Sequence, residues 1–202
     1  EEAGVNLYEI VNAIRMRPTH SNIRQPGFGV GGNCLTKDPI FAKIAARDIL
    51  KINGHDFPFS SQAIEINNRM PLVTLNKLKK YFNGSLKGKN ILLLGVTYTQ
   101  DVGDPRFSPS EIFFKSTLLE EAKIRAYDPL VKNWDEVDIS MEINLPDSAD
   151  FHAIIFAVPH KEFAKIDLTA WISGNSVLLF DANNVLTEKQ VNDIKKNKLN
   201  YM

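Results

Sequence analysis

Hydrophobic and polar positions change rhythm partway along the chain. Leu7, Ile10, Val11 and Ile14 recur at helical spacing. Asn6 stands where a helix N-cap belongs, Glu9 completes a capping-box pattern, and Pro18 ends the helix. Residues 18–33 hold Pro18, Pro26 and four glycines, which is long for an idle connection; long ordered loops are often functional. Asp38-Pro39 predicts a second helix, with Asp38 as N-cap and Pro39 at the first helical position. That helix should run to about Ile52 with Ile40, Phe41, Ile44, Ala45 and Ile49 on one face, until Asn53-Gly54 stops it. A third helical pattern spans about Ser60 to Phe82, with Ala63, Ile64, Leu72, Leu75 and Leu78 apolar. Pro71 is expected to kink or split it, and Phe82-Asn83-Gly84-Ser85 to terminate it.

From Lys87 the pattern becomes one of strands. Residues 90–96 form a continuous apolar run, the mark of a strand buried on both faces. A loop over 97–108 follows, then a helix over about 110–121 capped by Ser108 with Pro109 in its first turn. Further strands are predicted at 123–127, 153–158 and 176–180. A short helix is predicted near 160–165 and a closing helix at 187–196. Alternating strands and helices imply a parallel sheet covered on both faces. The predicted fold class is α/β: a helical region over 1–84 and a Rossmann-like parallel-sheet domain over 85–202, with the boundary near residue 85.

Composition narrows the functional classes. The 202 residues carry 24 basic and 24 acidic side chains, so net charge offers no electrostatic case for nucleic acid or an anionic membrane. No apolar run approaches the roughly 18 residues a membrane helix needs. A single cysteine excludes an internal disulfide framework and makes a reducing compartment, the cytoplasm, the default. The chain opens on Glu1-Glu2-Ala3-Gly4 without an initiator Met and reads as a piece of a longer one.

Candidate chemistry concentrates in Pro26-Gly27-Phe28-Gly29-Val30-Gly31-Gly32-Asn33-Cys34-Leu35-Thr36-Lys37-Asp38-Pro39. As a dinucleotide loop the glycine string is misplaced, because no strand precedes it and no acidic residue follows at the required spacing; a plain glycine-rich turn fits better. Free cysteines are commonly small buried hydrophobes. Here, however, glycines leave room ahead of Cys34, while Lys37 and a helix start after it favour thiolate. Asp38 either caps the helix or orients a water or a substrate hydroxyl. Four histidines, His20, His55, His152 and His160, show no partner pattern for a Cys–His hydrolase, and the scatter of Cys and His gives no metal-ligand spacing. In the loop after the first strand, Arg106 can hold a phosphate through its planar fork or pair with Asp101 or Asp104.

Together these residues resemble the UDP-glucose / UDP-N-acetylmannosamine / GDP-mannose 6-dehydrogenase family. The Pro26 to Pro39 segment is similar to its nucleophile segment. Leu92, Gly95 and Tyr98 with Asp104-Pro105-Arg106-Phe107-Ser108-Pro109 resemble the start of its C-terminal nucleotide-binding domain. Ala126-Tyr127-Asp128-Pro129 resembles the end of that domain's second strand, and Asp181-Ala182-Asn183-Asn184 its late Asp-x-x-Asn turn.

The resemblance implies oxidation of a sugar C6 alcohol to a carboxylate with two NAD, through a Cys34 thiohemiacetal and thioester. It assigns Cys34 and Asp38 to catalysis. Pro26, Gly27, Gly31, Gly32 and Lys37 are assigned to the nucleotide-sugar substrate, Arg106 to NAD, and no residue to a metal. It also implies a homodimer through the helical region and an NAD domain outside this chain, so that the chain alone should be inactive. Asn33, Thr99, Pro18 and Ile23 depart from common family residues and leave the sugar open. The alternatives are a non-catalytic nucleotide-sugar-binding module and a cysteine hydrolase using Cys34.

Overall fold

A computed structural model describes residues 3–172 and 174–202. Helix α1 spans Leu7–Arg15, α2 Phe41–Ile44 and α3 Pro58–Tyr81. Strand β1 is Asn90–Leu94, α4 is Pro109–Leu119 and β2 is Lys123–Tyr127. Strands β3 (Asn133–Trp134) and β4 (Ile139–Ser140) precede β5 (Ala153–Phe156), α5 (Leu168–Trp171), β6 (Leu178–Asp181) and α6 (Glu188–Lys196). The main sheet has the order β2-β1-β5-β6 and is parallel throughout; β3 and β4 pair antiparallel beside it.

The continuous apolar strands are explained by two covered faces. Successive side chains of β1 alternate sides. Ile91 and Leu93 join a cluster with Leu75, Leu78, Phe113, Phe114 and Trp134 beneath α3 and α4. Leu92 and Leu94 join Phe156, Phe163, Leu168, Leu179 and Ile194 beneath α5 and α6. This is the predicted α/β, doubly wound arrangement, with α3 carrying the helical region directly onto the sheet.

Several ends follow the sequence signals. Asn6 Oδ1 accepts the Tyr8 N–H at 3.0 Å, and Asn6 Nδ2 reaches Glu9 Oε1 at 2.9 Å. Ser108 caps α4 with Pro109 in its first turn, and Thr187 with Gln190 forms a full capping box on α6. The α3 terminus lies where Asn83 and Gly84 take positive φ, with Gly84 N–H bonded to the Lys79 carbonyl at 2.7 Å.

Other expectations are corrected. Asp38 is not an N-cap: the cap position falls to Lys37, no side chain caps this start, and the Asp38 carboxylate is taken by Lys37 Nζ at 2.6 Å. The run from Asp38 is a 3₁₀ turn, then α2, then a π turn over Ala45–Ile49, and it ends before Ile52. Its expected apolar face is largely uncovered, with Phe41, Ile44 and Ile49 exposed, and the one buried residue of the run, Ala46, is not on that face. Pro71 does not split α3. It removes one helical N–H, but the helix beyond it is held by buried Thr74, Leu75 and Leu78. The β3–β4 pair and α5 had no sequence signal, since two-residue strands and a single helical turn are too short for any periodicity to register. Residues 200–202 run along β6, with Leu179 N–H on the Asn200 carbonyl and Met202 N–H on the Leu179 carbonyl, both 2.9 Å; they cover its open edge.

Leu78 is fully buried between α3 and the sheet. Leu78→Ala is expected to cost about 2–5 kcal/mol in urea unfolding. A loss below about 1 kcal/mol would mean that α3 does not depend on this contact.

Candidate functional site

The strand order reverses between β1 and β5, and the loops leaving their carboxyl ends diverge there. Such a switch point is where open parallel sheets hold ligands. Gly95 makes the crossing possible: its φ is +91°, and a Cβ on it would lie 2.5 Å from Val158 Cβ. The cleft that results has a volume of about 480 Å³. Thr97, Tyr98, Pro159 and Asn183 line it from the sheet side, and Arg24, Gln25, Pro26 and Phe28 from the glycine-rich loop.

A buried polar network behind the lining joins the loops that bear the cleft. Asp128, at the end of β2, accepts the Val96 N–H at 2.8 Å and the Leu130 N–H at 2.9 Å. His160 Nδ1 faces the Asp101 N–H at 3.0 Å, and an amide nitrogen can only donate. The ring proton therefore sits on Nε2, directed at Asp128 Oδ2 and Thr97 Oγ1, each 3.1 Å away. This imidazole ties the loop after β1 to the loop after β5.

The glycine-rich loop is held from several directions. Asn67 of α3 pairs with the Val30 backbone through both ends of its carboxamide, at 2.7 Å each. Pro71, four residues on, has no N–H to offer the Asn67 carbonyl. Gly32 N–H bonds to the Phe107 carbonyl at 3.2 Å. A Cβ on Gly31 would lie 2.8 Å from both Phe107 O and Tyr98 Cβ, and one on Gly32 would lie 3.1 Å from the Tyr98 ring. The loop glycines thus have a packing cause within the chain: they let the loop lie against the β1–α4 connection.

Cys34 is exposed, on a turn whose carbonyl accepts the Lys37 and Asp38 N–H groups at 3.2 and 2.9 Å. Thr36 Oγ1 closes the turn onto the Gly32 carbonyl at 2.7 Å. Lys37 Nζ pairs with Asp38 and lies 4.9 Å over the Phe41 ring. Of the sequence-predicted residues, Pro26 lines the cleft and Gly27 abuts Asn183 there. Gly31 and Gly32 sit under Tyr98, whereas Cys34, Lys37 and Asp38 lie on the exposed turn beyond, outside the cleft lining. Arg106 takes the pairing reading: it forks onto Asp104 at 2.9 and 2.7 Å. That fork, with the Arg106 N–H, holds the Asp104 carboxyl down at about 2. Asp101 is engaged by Lys161 instead. Among the described residues no hydrogen bond joins a histidine to Cys34; His152 and His160 both accept backbone N–H groups. Asn67, Asn183 and His160 were not picked out by motif. Asn183 lay inside a noted string, while Asn67 carried no signal.

A doubly wound domain with a switch-point cleft, against which a cysteine-bearing glycine loop of the helical region packs, defines a class, and comparison with known proteins names it. Residues 92–188 match the UDP binding domain of the UDP-glucose/GDP-mannose dehydrogenase family, and residues 1–69 match that family's central domain. The chain belongs to this family. It is 32% identical over 197 residues to the UDP-N-acetyl-D-mannosamine dehydrogenase of Pyrococcus horikoshii, covering 93% of this chain and 43% of that protein. The enzyme of the same name from Methanocaldococcus jannaschii is 29% identical, over 94% of this chain and 42% of its own length. The crystal structure of an NDP-N-acetyl-D-galactosaminuronic acid dehydrogenase from Methanosarcina mazei Go1 shares the fold. Its TM-score is 0.84 at 21% identity, with all of this chain and 44% of that one covered. The chain thus spans less than half the length of the relatives it matches.

The Arg106–Asp104 fork has a direct test. A carboxylate held low contributes stability above its free value of 3.8 and loses it as pH falls through about 2. Arg106→Gln should return Asp104 toward 3.8 in an NMR titration; an unmoved Asp104 would show that the guanidinium is not the cause.

Proposed function

We propose that the chain is the central (1–84) and C-terminal (85–202) part of an NAD-dependent nucleotide-sugar 6-dehydrogenase, acting on a UDP- or GDP-linked sugar. The observation that carries this is the switch-point cleft, walled by the glycine loop that leads within a few residues to Cys34. Its volume lies in the range of small-molecule sites. The family match and the relatives' names support the substrate class.

NAD finds no cradle of its own among the described residues. The loop glycines are closed by Asn183, Tyr98, Phe107 and Pro109, and Arg106 is engaged by Asp104. NAD, the hydride acceptor of such a reaction, is therefore assigned mainly to residues outside this chain. What the chain contributes is the covalent carrier. Cys34 Sγ adds as thiolate to the C6 aldehyde carbon and holds it as a thiohemiacetal. At the thioester level water replaces Sγ, releasing the carboxylate and restoring the thiol. Asp38, paired with Lys37 on the same turn, orients the water, while Pro26, Gly27, Gly31 and Gly32 shape the sugar side. The exposed Phe41, Ile44, Ile49, Phe59 and Ile66 are the proposed homodimer face. The reducing compartment expected for Cys34 is the cytoplasm.

The test joins this chain to the N-terminal half of a family member and follows NADH absorbance with a panel of UDP- and GDP-sugars. Two NADH per acid are expected from one sugar. Cys34→Ser should lower acid formation at least about 100-fold; unchanged turnover removes Cys34 from the chemistry. Nucleotide-sugar binding without oxidation in the joined protein would favour a binding module.

A further inference from the structure

We propose that Asn183 is a positioning residue that sets the glycine-loop wall of the cleft, and that position 27 is glycine because of it. The inference rests on reading the cleft as a nucleotide-sugar site. The turn after β6 is wound about one half-buried carboxylate: Asp181 accepts the N–H groups of Asn183, Val185 and Leu186 at 3.3, 2.8 and 3.0 Å. Asn184 completes the reversal at a φ of +51°. This turn presents the Asn183 side chain to two strangers in sequence. Its Nδ2 donates to the Ala157 carbonyl at the end of β5, at 2.7 Å. Its Oδ1 accepts the Phe28 N–H at 3.3 Å, across 155 positions.

The two partners demand opposite ends. A carbonyl needs a donor and an amide N–H needs an acceptor, and only a carboxamide of this length supplies both. The neighbouring backbone is seated just as closely. A Cβ on Gly27 would lie 1.9 Å from Asn183 Oδ1 and 2.9 Å from its Cγ. Phe28, one residue on, is buried and packs on Phe113 of α4 with ring centroids 5.4 Å apart. Pro26, Phe28 and Asn183 all line the cleft, so the distance between its two walls is set at this contact.

The test uses the 202-residue chain with UDP as the probe, measuring affinity by titration calorimetry and Phe28 amide exchange by NMR. Asn183→Ala and the isosteric Asn183→Asp should each weaken UDP binding about tenfold and speed Phe28 exchange. The aspartate keeps the shape but turns an acceptor toward the Ala157 carbonyl, so mere space-filling predicts no effect from it. Gly27→Ala should weaken UDP binding in the otherwise native chain and cost nothing further in Asn183→Ala, where its clash partner is gone. It also reaches the same contact if an Asn183 variant fails to fold. A purely structural Asn183 would lower the melting temperature while leaving the affinity of the folded protein intact. UDP affinity within about twofold of native in Asn183→Ala, or additive losses in the double variant, would overturn the inference. A native chain that binds neither UDP nor GDP overturns the cleft reading, and with it the binding half of the inference. Unchanged Phe28 exchange in Asn183→Ala overturns the clamp itself, so the two failures are told apart.

Discussion

Four parallel strands that are apolar on both sides can be stable only when helices cover both faces, and the rest of the molecule follows from that requirement. On one face the cover is local, with α5 and α6 lying close in sequence to β5 and β6. On the other, α4 shares the work with the second half of α3, a helix from well before the sheet begins. Burying Leu75 and Leu78 there draws the helical region onto the sheet, and with it the loop that carries Cys34. Burial of apolar surface is non-directional, so it brings these pieces together without choosing their register.

Register is chosen by polar contacts that tolerate little error. The Asp128–His160 pair fixes the two loops at the switch point to one another, with a ring tautomer dictated by the Asp101 amide. Asn67 and Asn183 hold successive parts of the glycine loop, one from the helix side and one from the sheet side. The glycines allow the approach and the carboxamides specify it. The loop that bears Cys34 is thus an arm whose root is clamped and whose tip, the Cys34 turn, is exposed.

Much of the architecture was legible because its causes are local. The apolar runs at 90–96 and 153–158 marked strands covered on both sides. Asn6 and Ser108 marked helix starts through short-range hydrogen bonds that any chain with those residues would make. The Phe82-Asn83-Gly84 stop worked for the same reason. Asp38 misled, because an acidic residue before proline has two local options, and the adjacent Lys37 supplied the stronger one. The glycine string was legible as a close backbone approach that is not a dinucleotide loop. Spacing reports only that backbone must come close to something, and the fold reveals that within the chain the neighbours are Tyr98, Phe107, Pro109 and Asn183.

By itself the sequence determined the fold class, the starts of α1 and α4, the stop of α3, the order of the main-sheet strands and the identity of the one thiol, because periodicity and capping act within a few residues. The tertiary structure alone decided that α3 runs through Pro71 onto the sheet, that Arg106 is forked by Asp104, and that Asn183 meets Phe28. Each of these joins or alters partners through long-range packing or the precise angle of a turn. Pairing of that kind leaves no period in the chain, since hydrogen bonds across 155 positions depend on where the core places two backbones rather than on what stands beside either residue.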